Sequence, residues 1–124
     1  MRTLRYLGDL LASGIFIFGG LQAFLHPAPR AAKAEALGLP EASLGVQVNA
    51  LVMIAGGIAL GLGVFPRAAA ALLATSLVPT TIVGHPFWRE GTPAARQAQT
   101  TQFLKNLAML AALLFIITGA RERG

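Results

Sequence analysis

The sequence predicts an all-α integral membrane protein: a four-helix bundle of antiparallel, up-down topology, with residues 1–124 forming a single transmembrane domain. Three observations lead there. Of the 124 residues, 55% are hydrophobic and only 12% are charged, against about a quarter charged in an ordinary soluble domain. The apolar residues gather in four runs, roughly 4–25, 46–65, 66–83 and 103–120, each near the ~20 residues that carry a helix across ~30 Å of hydrocarbon. Finally, the runs are unbroken and do not alternate as the strands of about 10 residues in a membrane barrel do. Lipid offers the backbone no hydrogen-bond partner, so such runs must be helical.

The first run follows Arg2 and Arg5 and carries Asp9. It is long for a signal-peptide core, and it is read as a span. It stops at His26-Pro27-Ala28-Pro29, after which residues 30–37 are expected as one or two helical turns along the interface, closed by Gly38 in a left-handed cap. Pro40 is expected in the first turn of the second span, where a missing N–H costs nothing. That span holds Gly56, Gly57, Gly61 and Gly63, a small-residue spacing that lets helices approach closely. Only Val64-Phe65-Pro66-Arg67 joins it to the third, so these two spans are expected to make the tightest hairpin, with Gly57 and Gly61 at a close crossing. Thr92-Pro93 reads as an N-cap followed by proline at the first helical position. The fourth helix therefore begins in water, well before Phe103, and segments 26–45 and 84–102 are interfacial.

Composition also excludes several classes. There is no cysteine, hence no disulfide, dithiol or thiolate metal chemistry within the chain. The net charge of +5 comes from basic residues that flank helices singly or in pairs and form no nucleic-acid-binding patch or motif. They orient the spans instead. Arg2, Arg5, Arg67, Arg121 and Arg123 fall on the face of the termini, and Arg30, Lys33, Arg89 and Arg96 on the other, with Lys105 at its edge. Because the first five lie in very short segments beside helix ends, the termini are expected in the cytoplasm. The bias is small enough to be compatible with dual insertion.

The polar residues inside the runs are unevenly placed. One end of an up-down bundle collects Gln22 and His26, Gln47 and Asn49, His85 and Trp88, and then Gln99, Gln102, Lys105 and Asn106. The opposite halves carry Asp9, Ser13, Thr75, Ser76 and Thr118. Polar side chains in hydrocarbon are costly and face a bundle interior, water or a partner, so a pocket near the non-cytoplasmic interface is expected. Gln99, Gln102, Asn106 and Met109 share a helical stripe, and Gln22 and His26 lie four apart. Ordinary roles compete at every position: Lys105 can snorkel, Trp88 can anchor at the interface, and Asn49 can bond between helices. His26 and His85 stand at or outside helix ends, which does not suit axial ligation, and neither haem nor metal is expected.

In Gly84-His85-Pro86-Phe87-Trp88, and again in Phe103-Leu104-Lys105-Asn106-Leu107-Ala108-Met109-Leu110, the chain resembles the DoxX family of small four-helix bacterial membrane proteins. The likeness extends through Gly19-Gly20 to His26-Pro27, the glycine-rich second span, and the turn Gly63-Val64-Phe65-Pro66-Arg67 into an alanine-rich third span. Many relatives carry a basic residue late in the first helix and a glutamate in the second, where this chain has Gln22 or His26 and Asn49. A charged relay is therefore not carried over at those positions. The resemblance implies a bacterial inner-membrane subunit associated with redox reactions, including quinone-linked oxidation of sulfur compounds and complexes that handle oxidative stress.

A quinone headgroup needs a polar contact for each carbonyl, a flat apolar wall and access from lipid. On that reading His85 and Lys105 are donors, Asn49 and Asn106 give supporting hydrogen bonds, and Phe87 with Trp88 is the wall. Gln22 and His26 complete the expected ligand-binding set, and a histidine there can also pass a proton. No catalytic residue is assigned. Two alternatives belong to other classes: a scaffold holding a soluble redox partner through loops 30–41 and 89–96, and a dimeric proton-coupled exporter using Asp9. A homodimer is expected in either membrane role, because four short helices leave much surface for lipid or a second copy. Reporter fusions at Gly124 and within the 89–96 loop are expected to report opposite sides of the membrane; equal signals would establish dual insertion instead.

Overall fold

Among the described residues, four stretches are helical, long and apolar enough to cross a membrane: Arg2–Leu25, Ala42–Leu62, Pro66–Arg89 and Pro93–Thr118. The computed structural model describes residues 2–119. In chain order the elements are α1 (Arg2–Leu25), α2 (Ala28–Ala36), α3 (Ala42–Leu62), α4 (Pro66–Gly84), a 3-10 turn (Phe87–Arg89) and α5 (Pro93–Thr118). There is no strand among the described residues. The expected end of the last span at Ala120, and the charges of Arg121 and Arg123, lie outside them.

The connections follow local chemistry. After Pro27, α2 runs from Ala28 to Ala36 and ends in a Schellman motif: Leu39 N–H donates to the Ala34 carbonyl at 3.2 Å and Gly38 N–H to Glu35 at 2.9 Å. Gly38 takes φ +83, a conformation open to glycine at little cost. The same motif closes α3, with Val64 N–H on the Ala59 carbonyl at 2.8 Å and Gly63 at φ +71. At the start of α5 the Thr92 hydroxyl accepts from Ala95 N–H at 3.2 Å, and Pro93 occupies the first helical position.

One expected boundary moves. Pro40 lies before α3, not in its first turn: the helix begins at Ala42, after Glu41 at φ +48. A tertiary contact decides this, because Ala42 is buried against Ala31 and Ala34 of α2. That contact fixes where the chain can enter the helix.

All four long helices feed one core, built from Phe16 of α1, Met53 and Leu60 of α3, Ala69, Ala70, Leu73 and Leu77 of α4, and Leu113 and Ile116 of α5. The outward faces are apolar as well: Leu11 is 70% exposed and Phe18 63%. A helix that is hydrophobic all round suits hydrocarbon and not water.

The closest helix pair is α1 with α3, not the α3–α4 hairpin that the short turn suggests. Ser13, Phe16 and Gly20, buried residues of α1 at spacings of three and four, face α3. A Cβ placed on Gly20 would lie 2.8 Å from Ile54 Cγ1 and 3.0 Å from the Ala50 carbonyl oxygen; one on Gly57 would lie 2.8 Å from Ile17 Cγ1, and one on Gly61 2.9 Å from Ser13 Oγ. The glycines Gly57 and Gly61 thus do mark a close crossing, but with α1. Toward α4 it is Gly56 that receives a side chain, Leu73. A short loop makes two helices neighbours, whereas side-chain size sets how near their axes come. The contacts of each pair fall in reverse order: Gly20, Ile17 and Ser13 against Ala50, Gly57 and Gly61, and likewise Asn49 and Gly56 against Ser76 and Leu73.

Gly20→Ala is expected to lower the stability of the detergent-purified protein by about 1–3 kcal/mol through overpacking. Gly14→Ala, where an added Cβ meets nothing within 4 Å, should stay within about 1 kcal/mol of the parent. Thermal unfolding of the two variants side by side checks the assignment.

Candidate functional site

One helix organises the polar layer. Along α4 the residues Ser76, Thr80 and Thr81, with His85 just past its end, each meet a polar group of a neighbouring helix. Ser76 donates its hydroxyl to Asn49 Oδ1 at 2.8 Å, and Asn49 Nδ2 donates to Thr80 Oγ1 at 2.8 Å, with Met53 Sδ at 3.9 Å. One level further on, Asn106 Nδ2 of α5 donates to Thr81 Oγ1 at 2.9 Å, while the Thr81 hydroxyl donates to the Leu77 carbonyl at 2.8 Å. Asn106 is only 5% exposed, so this bond is sheltered from water. At the end of the layer His85 Nδ1 lies 2.9 Å from Gln99 Oε1. An amide oxygen only accepts, so Nδ1 carries the hydrogen in this pairing.

From Ser76 to His85 is nine residues, about 13–14 Å at helical rise. The layer is therefore a ladder and not a single pocket. A flat headgroup resting on Asn49 and Ser76 does not also reach His85, which separates residues that the sequence placed together.

Other groups tie this end down. Lys33 of α2 donates Nζ to the Gly84 carbonyl at 2.8 Å, and Gln47 Nε2 donates to the Phe24 carbonyl at 3.2 Å. Phe87, Trp88 and Phe103 meet edge to face, with centroids 5.1 Å apart for Phe87–Trp88, 5.2 Å for Phe87–Phe103 and 6.0 Å for Trp88–Phe103. Such edge contacts are favourable beyond their burial. Gln99 and Phe103 are four apart on α5, so the histidine pairing and the aromatic cluster share one helix face.

Of the eight residues expected to converge, Asn49, His85 and Asn106 bond into the ladder and Phe87 packs beside it. Trp88 keeps 52% of its surface exposed while touching the other two rings. Gln22, His26 and Lys105 are exposed, and no side-chain hydrogen bond among the described residues draws them in. Gln102 is exposed as well, so the stripe of α5 that faces the bundle runs through Gln99, Phe103, Asn106 and Met109. The sequence placed Ser76 in the opposite half of the bundle, whereas its hydroxyl bonds Asn49 within the layer, and it left Thr80 and Thr81 unassigned. Their hydroxyls bond backbone in most helices, and only the spacing 76, 80, 81, 85 on one face marks them. Every buried side-chain nitrogen and oxygen among the described residues has a hydrogen-bond partner.

Two clefts flank the bundle. One, of about 520 Å³, runs between α3 and α4 over Leu44, Val48, Val52 and Leu72 and reaches Asn49 and Ser76. The other, of about 530 Å³, lies at the opposite end, where Arg5, Asp9 and Arg67 share it with Phe65, Phe115 and Gly119.

Four apolar spans around a satisfied polar ladder define a small multi-pass helical membrane protein. A family model described as DoxX matches residues 7–86, more than half of the 124 residues. The chain belongs to the DoxX family. Of the two segments that suggested it, Gly84–Pro86 falls within the match and residues 103–110 lie beyond it. No curated protein and no solved structure matches the chain.

In a double-mutant cycle on Asn49→Ala and Ser76→Ala, a coupling of roughly 0.5–2 kcal/mol is expected, the range that interhelical hydrogen bonds span in membranes. Unfolding in mixed micelles measures it, and Thr118→Ala, whose hydroxyl bonds only its own helix, should add independently to either change.

Proposed function

We propose that this DoxX-family chain is a membrane subunit of a redox-linked system, and that it receives the headgroup of a lipid-soluble quinone in the groove between α3 and α4. One observation carries the reading: an apolar cleft of about 520 Å³ open along the helices reaches a hydrogen-bonded polar pair, Asn49 and Ser76. A quinone enters sideways from lipid, lays its ring against Leu44, Val48 and Leu72, and takes a hydrogen bond at one carbonyl from Asn49 Nδ2, whose amide is held in place by the Ser76 hydroxyl donating to its Oδ1. Pockets of this kind, mostly apolar with a few placed polar groups, are the usual form of small-ligand sites. His85, one level outward and paired with Gln99, stands between the groove and the end of the bundle, where an imidazole can relay a proton. A headgroup seated at that outer level instead of in the groove would have His85 and exposed Lys105 as donors, Phe87 and Trp88 as an aromatic wall and Asn106 behind. The same reading takes an up-down bundle in the bacterial inner membrane with cytoplasmic termini, working as a homodimer or beside a soluble redox partner.

A second reading has its own support. Because the ladder satisfies itself without a ligand, the same residues serve equally as interhelical glue in a scaffold that presents the 30–41 and 89–96 loops to a partner.

Binding of a quinone analogue to the purified protein separates these readings. The parent is expected to bind, and Asn49→Leu, which removes the polar contact and fills the groove, to weaken binding by about tenfold or more, as losing a polar contact of ~1.4 kcal/mol does. Loss on His85→Ala or Lys105→Ala with Asn49→Leu unaffected would move the site to the outer level. No binding by the parent leaves the scaffold.

A further inference from the structure

The groove between α3 and α4 has a second polar end. Glu41, Leu44 and Val48 line it from the α3 side at spacings of three and four, and Leu72, Thr75 and Ser76 line it from α4. Glu41 stands at the outer mouth, eight residues before Asn49, which is about 12 Å at helical rise. Among the described residues it is the one charged group that lines the groove, and its side chain neither caps α3 nor bonds elsewhere. The fold sets its place: Glu41 takes φ +48 and ψ +49, a left-handed conformation uncommon for a residue with a Cβ, next to Ala42 buried against α2.

Hydrogen-bonding capacity along the groove is one-sided. The Ser76 hydroxyl gives its hydrogen to Asn49 Oδ1 at 2.8 Å, the Thr75 hydroxyl gives its own to the Ala71 carbonyl at 2.9 Å, and Asn49 Nδ2 gives one to Thr80 Oγ1 at 2.8 Å. A hydroxyl has a single hydrogen, so Ser76 and Thr75 can only accept from a ligand. The other Asn49 N–H meets Met53 Sδ at 3.9 Å. A thioether is a weak acceptor, so this hydrogen is the one donor that the side chains can spare. The unbonded amides in the first turn of α3 point along the axis and out of the helix end, not across the groove. Against that one donor stand the two oxygens of the Glu41 carboxylate and the lone pairs of Thr75 and Ser76.

We propose that the groove selects the reduced, hydroxyl-bearing form of its ligand, a quinol, with one hydroxyl oxygen accepting from Asn49 Nδ2 and the opposite hydroxyl donating to the Glu41 carboxylate. This assignment rests on the quinone reading of the groove and adds to it a redox form and a specificity-determining residue. A quinone carbonyl only accepts, and beside Glu41 it meets a group that also only accepts. A quinol hydroxyl in the same place makes a charge-assisted hydrogen bond, one of the stronger kinds. The dimensions agree: ~12 Å of helix accommodates the two side chains, two hydrogen bonds of ~2.8 Å and one ring between them, and that ring rests on Leu44 and Val48. Tighter binding of the quinol raises the reduction potential of the bound couple, by about 30 mV for each tenfold, which makes the bound quinone the better oxidant.

Anaerobic calorimetric titration of the full chain in nanodiscs, with a short-chain ubiquinone oxidised in one series and reduced in the other, tests this. The parent should bind the reduced form about tenfold tighter, the low end for a hydrogen bond to a charged group. Glu41→Gln, which replaces the carboxylate with an amide that donates as well as accepts, should bring the two forms level. Glu41→Asp should keep part of the preference, and Glu35→Gln, at an exposed carboxylate of α2 away from the groove, all of it. Equal affinity for the two forms in the parent, or an undiminished preference in Glu41→Gln, overturns the selection and leaves the groove a quinone site. Binding of neither form by the parent overturns the quinone reading and the selection together.

Discussion

Hydrocarbon accepts no unpaired N–H or C=O, and most of this architecture follows from that constraint. It forces the four apolar runs into helices, whose backbone groups bond within each segment. It sharpens the ends, where backbone groups run out of intrahelical partners: Gly38 and Gly63 close Schellman motifs, and Thr92 caps α5. Inside the bundle it requires each amide and hydroxyl of Asn49, Ser76, Thr81 and Asn106 to find a partner on another turn or another helix. Water would have tolerated a looser arrangement. Lipid does not.

Within that constraint two devices assemble the helices. Between α1 and α3 it is the absence of side chains, at Gly20, Gly57 and Gly61, that brings the backbones together and gains dispersion contacts where lipid gives little hydrophobic drive for helices to associate. Between α4 and its neighbours α3 and α5 it is directional hydrogen bonding through a single row of residues on α4. The first device is strong but unspecific in polarity. The second fixes register, since a slip of one residue would leave an amide unpaired.

The two devices leave the ends of the bundle chemically unlike. The end with His85 and Gln99 is polar, walled by three aromatic rings and braced by Lys33 on the Gly84 carbonyl. The end with Arg5, Asp9 and Arg67 is charged and opens onto exposed phenylalanines.

The class of protein, the number of spans and most helix ends were legible in the sequence because they rest on local physics: apolar length, proline and glycine at caps, and the periodicity of 3.6. The runs 4–25, 46–65 and 66–83 each lie within three residues of an observed helix end at their C-termini, and Thr92-Pro93 marks the start of α5 as expected. The family, too, was legible, from a segment whose Gly84–Pro86 lies inside residues 7–86 and from residues 103–110 beyond them. What the sequence could not decide was which faces meet. Gly57 and Gly61 were seen to mark a close crossing, yet only the packed structure gives them to α1, because closeness depends on the side chains that both partners bring. For the same reason Asn49 and His85, grouped by membrane level, occupy separate rungs, while Ser76, placed by the sequence in the opposite half, and the unassigned Thr80 and Thr81 supply partners to Asn49 and Asn106. Local spacing determines what each helix is; the three-dimensional demand that every buried polar atom be paired determines where each one stands.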